Sequence, residues 1–265
     1  MKLPIYQIDA FTGEVFSGNP AAVCPLGQWL PADRLQAIAT ENNLPETAFF
    51  VEREDAYELR WFTPTTEVDL CGHATLASAF VIWNRLGVNL DVLKFETRSG
   101  PLSVRRTSDL LVLDLPRIAP VRGDIPADLP QHLGKPPAEL WTTPPSENGG
   151  NYLAVYGSEE EVRTLQPDLA ALGRLADMGV IVTARAEKVD FVSRYFAPAF
   201  GIPEDPVTGS AHCTLVPYWA EQIGRTRLQA LQVSRRGGEL FCELKGERVQ
   251  VGGRAVCYLE GTITL

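Results

Sequence analysis

Two short stretches bring acid, base and thiol groups up against the starts of apolar helices. In the first, WFTPTTEVDLCGHATLASAFVIWNRL (61–86), Asp69, Cys71 and His73 stand at the head of a run in which only Thr75 and Ser78 interrupt the apolar residues from Ala74 to Trp83. A helix with no polar face must be surrounded by protein. Its polar first turn is the exception, and unpaired backbone N–H groups with the positive end of the helix dipole make such a start a seat for an anion. In the second stretch, YFAPAFGIPEDPVTGSAHCTLVPYWA (195–220), Asp205, Gly209, Ser210 and Ala211 lead into another apolar run.

Each of these groups has a chemical and a structural use. Glu46, in ENNLPETAFF, sits beside Pro45 and the apolar Ala48, Phe49 and Phe50. Desolvation there would raise its pKa toward that of a general acid or base, whereas the commoner use of such a residue is a surface turn glutamate. His73 and Ser210 occupy matching positions. The dipole is expected to lower the pKa of His73 and leave a neutral hydrogen-bond donor, and the alternative is a structural histidine. Ser210 could equally cap its helix. Asp205 either caps or holds the proton inventory beside the substrate and His73, and Glu67 and Asp69 are either equivalents of it or solvated loop charges. His212, inside the second run, is expected to pack. Cys71 stands where the dipole can lower a thiol pKa, but the second stretch has no matching cysteine, so a two-thiol pair is absent. No dinucleotide or Walker phosphate loop, no nucleophile-elbow serine and no H-x-x-x-H metal spacing occurs. Cofactor-free proton chemistry on a small anionic substrate is the enzyme class that survives.

The elements that must position these groups also recur. Phe62-Thr63-Pro64 answers to Phe196-Ala197-Pro198, and Gly72-His73-Ala74 to Gly209-Ser210-Ala211, the second loop being three residues longer. The same order of strand, proline loop, acidic residue and apolar helix indicates an internal duplication. Strands are predicted at 3–10, 21–26, 47–52, 57–62, 92–97, 101–105 and 110–115, with a helix opened by Pro31 and Asp33 and closed near Pro45. The second half is predicted to hold strands at 152–156, 179–184, 189–196, 228–234, 239–244, 248–251 and 255–263, and a helical stretch at 159–175. Pro217 should kink the second apolar helix or shift its hydrogen bonding. Eight of the chain's 20 prolines fall in 116–145, which places the domain boundary at its start, with short helical pieces such as 127–133. The expected fold is therefore α+β: two pseudo-repeated domains, 1–116 and 117–265, each a rolled, mostly antiparallel sheet around a central apolar helix. The last strand could cross back to the first half, and the site is expected in the cleft between the halves.

A net charge of −9 with no long basic run argues against nucleic acid as a partner. No apolar run approaches the roughly 20 residues of a membrane span, and the N-terminus goes directly into a strand pattern, so a cytoplasmic protein is expected. Five widely spaced cysteines without a C-x-x-C pair argue against a disulfide framework and a zinc site.

IDAFTGEVFSGNPAAV, ENNLPETAFF, LCGHATLASA and EDPVTGSAH, in that order, resemble the four motif blocks of the phenazine-biosynthesis-like (PhzF) family, related to diaminopimelate epimerase. The resemblance spans the chain. It implies two similar halves, no cofactor and an intracellular homodimer, and an isomerase that moves a proton within a small cyclic carboxylate such as trans-2,3-dihydro-3-hydroxyanthranilate. It implies Glu46 as the catalytic carboxylate and His73, Asp205 and Ser210 as substrate-polarising or supporting groups. Gly72 and Gly209, with Ala74 and Ala211 beside them, are implied to present amides to the substrate carboxylate. Cys71 is a departure, because related epimerases keep one of two catalytic thiols there. The readings carried forward are a PhzF-like isomerase, an amino-acid racemase or epimerase using Glu46 and Cys71, and a silent anion-binding or interaction protein.

Overall fold

The computed structural model describes every residue except 145–148 and 176–177. It is a sheet-rich α+β protein with few helices, and the chain divides into two compact units. Met1–Asp114 and Val251–Leu265 form the first, Leu115–Gln250 the second.

The first unit is built on β1 (Lys2–Ala10), which pairs antiparallel with β2 (Asn19–Leu26) and with the C-terminal strand Ala255–Thr264. Helix α1 (Ala32–Asn42) carries the chain to β3 (Glu46–Glu52), parallel to β2 with Ala21 opposite Glu46. Leu35, Ile38 and Ala39 are its buried face, and it stops where Asn43 turns left-handed at φ 49°, a conformation asparagine tolerates well. From β3 the sheet continues through β4 (Tyr57–Phe62), which pairs with the short β5 (Glu67–Val68) and runs parallel to the later β6. Helix α2 (Gly72–Asn84) follows, then the antiparallel meander β6 (Val92–Thr97), β7 (Gly100–Thr107) and β8 (Leu110–Pro116).

Helix α2 is buried without a break from Gly72 to Ala79 and packs on β1, β2, β3, β7 and the C-terminal strand. Its two hydroxyls do not violate that burial, because each donates back to a carbonyl one turn earlier. Thr75 Oγ1 reaches Cys71 O at 2.6 Å and Ser78 Oγ reaches Ala74 O at 2.8 Å, which satisfies the polar atom within the helix itself.

The second unit contains, in order, α3 (Leu129–His132), β9 (Glu139–Thr142), β10 (Gly150–Val155), α4 (Glu159–Thr164), α5 (Leu169–Leu172), β11 (Met178–Arg185), β12 (Phe191–Ala197), β13 (Ile202–Asp205), α6 (His212–Ile223), β14 (Arg227–Gln232), β15 (Gly238–Lys245) and the start of β16 (Arg248–Gly253), whose last three residues belong to the first unit. Strand β11 is parallel to β10 and antiparallel to β12, which also pairs with β13 and, in parallel, with β14. Strands β9 and β13 are only four residues long each, and periodicity alone missed both.

Two local expectations change and a third holds. The helical stretch at 159–175 is two short helices, because Pro167 bars Gln166 from the helical region. Each piece is capped separately, by Ser158 in a reciprocal capping box and by Asp168. The second apolar helix begins at His212, not Gly209. Residues 209–211 are a tight turn whose carbonyls accept the amides of His212, Cys213 and Thr214 three residues on. Pro217 does shift the hydrogen bonding: its missing N–H would have served Cys213 O, and the amide of Ile118 takes that carbonyl at 3.0 Å. The proline-rich stretch 116–145 ends at Pro145, which lies outside the described residues.

Candidate active site

Four buried polar side chains meet in the first unit. Glu46 opens β3, Asn19 opens β2, Cys71 is the residue before α2, and His73 lies in its first turn. All four are buried, Glu46 with 7% of its surface exposed. His73 is the hub. Its Nε2 lies 3.1 Å from Glu46 Oε2, and its Nδ1 lies 3.2 Å from Asn19 Nδ2 and 3.5 Å from Cys71 Sγ. Glu46 Oε2 and His73 Nε2 are close, yet neither has an aligned hydrogen-bond partner among the described residues.

The electrostatics of this cluster reverse two expectations. The helix dipole was expected to lower the pKa values of His73 and Cys71. Burial does oppose charging His73, but the Cys71 sulfur and the Glu46 carboxylate outweigh it and hold the imidazole well above its ordinary value. Burial, reinforced by the Glu46 charge, pushes the Cys71 thiol up, against the smaller pull of His73 and the Ala74 amide. Cys71 is thus a buried thiol, not an activated nucleophile.

The other acidic candidates of this unit are engaged elsewhere. Glu67 makes a bidentate pair with Arg60 at 2.7 and 2.8 Å and a second pair with Arg98 at 2.8 Å. Asp69 is exposed and lies 3.9 Å from Arg98.

In the second unit Asp205 ends β13 opposite Tyr195 of β12 and is buried. Its carboxylate accepts the Thr208 hydroxyl. The carboxamide of Gln232, at the end of β14, closes the loop: Nε2 donates to Asp205 O at 2.8 Å and to Thr208 Oγ1 at 3.1 Å, while Oε1 accepts the Thr208 amide at 2.8 Å. This network fixes the turn that presents Gly209, Ser210 and Ala211. Ser210 is exposed, and no side chain caps α6, so capping does not account for it. His212 packs, as expected. Its ring centroid is 5.8 Å from that of Phe191, and its Nδ1 lies 2.9 Å from Thr208 O. Burial pulls its pKa down to about 4.

Sequence reasoning missed Asn19, Thr208 and Gln232 as members of these clusters. Asn19 lies in Ser17-Gly18-Asn19-Pro20, which reads as a turn, and Gln232 sits in an ordinary strand pattern. No local signal marks either, since each acquires its partners through sheet register.

The fold and the buried acid–base cluster define a class: sheet-rich α+β proteins that hold a carboxylate and an imidazole at the start of a buried helix. Residues 8–261 match the family model described as phenazine biosynthesis-like protein, PhzC-PhzF, and the chain belongs to that family. An uncharacterized isomerase of Pseudomonas aeruginosa is 52% identical over 265 residues, covering all of both chains. The crystal structure of a PhzF-family phenazine biosynthesis protein of Enterococcus faecalis has a TM-score of 0.94 at 47% identity, again over both whole chains. A hydroxyproline epimerase from Agrobacterium vitis shares the fold at a TM-score of 0.62 and 10% identity, covering 100% of this chain and 93% of that one. Its curated relatives place this chain among the isomerases.

Proposed function

We propose that this protein is a cofactor-independent isomerase in which Glu46 removes a proton from carbon in a small carboxylate substrate and returns it to a neighbouring carbon. The observation that carries this reading is the buried Glu46–His73 pair, 3.1 Å apart, in which Glu46 Oε2 has no aligned hydrogen-bond partner among the described residues. A reacting C–H can approach that oxygen, and the isomerisation balances because one proton leaves carbon and one returns to carbon, the proton held on Glu46 exchanging with solvent in between. His73, held above its usual pKa, supplies a positive neighbour for charge developing on the substrate. In this reading the substrate carboxylate is taken up by backbone amides at the start of α2, Gly72 to Ala74, and in the turn before α6, Gly209 to Ala211, with Ser210 and Asp205 completing the second. That arrangement carries the finer fold reading with it: two pseudo-repeated halves, each a sheet rolled about its apolar helix. A cytoplasmic homodimer completes the proposal, and sedimentation velocity tests its stoichiometry.

The racemase reading is disfavoured. One donor atom each of Glu46, His73 and Cys71 lies within 4.8 Å of the other two. Two bases that flank a carbon must each stand roughly 3 Å from it on opposite faces, which this spacing does not allow.

The test is incubation of the enzyme with cyclic β-hydroxy carboxylates in deuterated water. Isomerised product carrying deuterium is expected, and Glu46→Gln should lower the rate about a hundredfold or more. Undiminished turnover in Glu46→Gln would overturn the proposal.

A further inference from the structure

We infer that Glu46, Cys71 and His73 form a binding site for one thiophilic divalent cation of the Zn2+ type. The inference that such a cation blocks the base rests on the proposed function, but the binding itself does not.

The geometry carries it. Tetrahedral zinc with sulfur, nitrogen and oxygen ligands holds its donors about 3.3–3.6 Å apart. Here the carboxylate oxygen and Nε2 are 3.1 Å apart, and one donor of each of the three residues lies within 4.8 Å of the other two. Side-chain torsion of Cys71 and Glu46 closes the remainder. Glu46 Oε2 and His73 Nε2 are buried without aligned partners, so a ligand seated there satisfies two polar atoms at once. The Ala74 amide donates to the Cys71 sulfur, the kind of contact that steadies a thiolate ligand. Asn19, at His73 Nδ1, can turn its carboxamide to accept the ring N–H and fix the imidazole for ligation through Nε2.

The donor set also sets selectivity. A thiol, an imidazole and one carboxylate suit borderline and soft cations, whereas Mg2+ and Ca2+ require mostly oxygen. Binding expels the thiol proton of Cys71 and any second proton on the ring to the buffer, leaving thiolate, neutral imidazole and carboxylate around the dication.

Titration of the purified protein with Co2+ tests this directly. A near-ultraviolet thiolate-to-cobalt band and intense visible bands of tetrahedral cobalt should appear, saturate at one equivalent, and vanish on adding Zn2+ but not Mg2+. Cys71→Ser should abolish the near-ultraviolet band. Cys257→Ser, which alters the half-buried thiol far along the sequence, should leave it intact. Glu46→Gln should keep the band but weaken affinity at least about tenfold, and thermal melts establish that each variant is folded. No band at millimolar Co2+, or a band that survives in Cys71→Ser, overturns the site. Because the band reports binding alone, its absence leaves the acid–base reading standing, and failure of the deuterium experiment leaves the cation site standing.

Discussion

His212 shows how a residue type with obvious chemical potential is committed to structure by its surroundings. Its ring lies in the aromatic layer of Phe191 and Trp219, the latter two stacked at 5.8 Å, and burial brings its pKa down to about 4. The unfolded histidine titrates near 6.5, so above that pH neither state is charged at this site. As pH falls from about 6.5 toward 4, the unfolded chain takes up a proton that the folded chain refuses. Stability is lost over that window, by about 3 kcal/mol at its lower end. Urea midpoints measured at pH 7 and pH 4.5 should therefore converge in His212→Gln relative to wild type, with the variant less stable at pH 7. His73 stands in the opposite case: with a carboxylate and a thiol as neighbours, it is held up rather than down.

The element that most depends on one side chain is the turn before α6. Gln232 uses both ends of its carboxamide, and the groups it serves, the Thr208 amide and the Asp205 carbonyl, are buried. Gln232→Ala strands both, and each buried group left unsatisfied costs about 1–3 kcal/mol. A fall of several degrees in Tm is expected by calorimetry. Thr208→Val should cost less once Gln232 is already Ala than in wild type, because the two share hydrogen bonds and a double-mutant cycle will show coupling. Steric limits act at the same level. A Cβ on Gly179 would lie 2.2 Å from the Tyr195 hydroxyl oxygen, so Gly179→Ala must displace the Tyr195 ring. Tyr195 then loses its 3.0 Å hydrogen bond to Asn151, and a drop in Tm is the expected readout.

The two units are not two consecutive pieces of chain. Ala255–Thr264 lies along the whole length of β1, from Lys2 opposite Thr264 to Ala10 opposite Ala255. The first unit therefore needs both ends of the sequence, and its hydrogen-bonding complement is incomplete in residues 1–114 alone. A fragment ending at Asp114 should lack a cooperative thermal transition. A fragment of 1–114 joined through a short linker to 251–265 should regain one. Recovery of a full transition by 1–114 alone would show that the C-terminal strand is dispensable.

Much of this protein was legible one residue at a time. Helix α2 was readable because an unbroken apolar run has only one stable environment, and α1 because Leu35, Ile38 and Ala39 fall on one face before a proline stop. Glu46, Cys71 and His73 were readable as candidates by residue type and by four motif blocks that span the chain. What sequence could not give was distance and field. The dipole argument for His73 used only its own helix, whereas the ring's state follows from burial, from Cys71 beside it and from Glu46, which β3 delivers from 27 positions earlier in the chain. Asn19 and Gln232 were invisible for the same reason, since a polar side chain in a strand is marked only by what the neighbouring strands bring to it. Sequence alone determined which groups are available and which helix holds them. Tertiary packing decided which of them touch, and contact across strands sets protonation and hydrogen bonding because electrostatic and hydrogen-bond energies depend on separation in space, not along the chain.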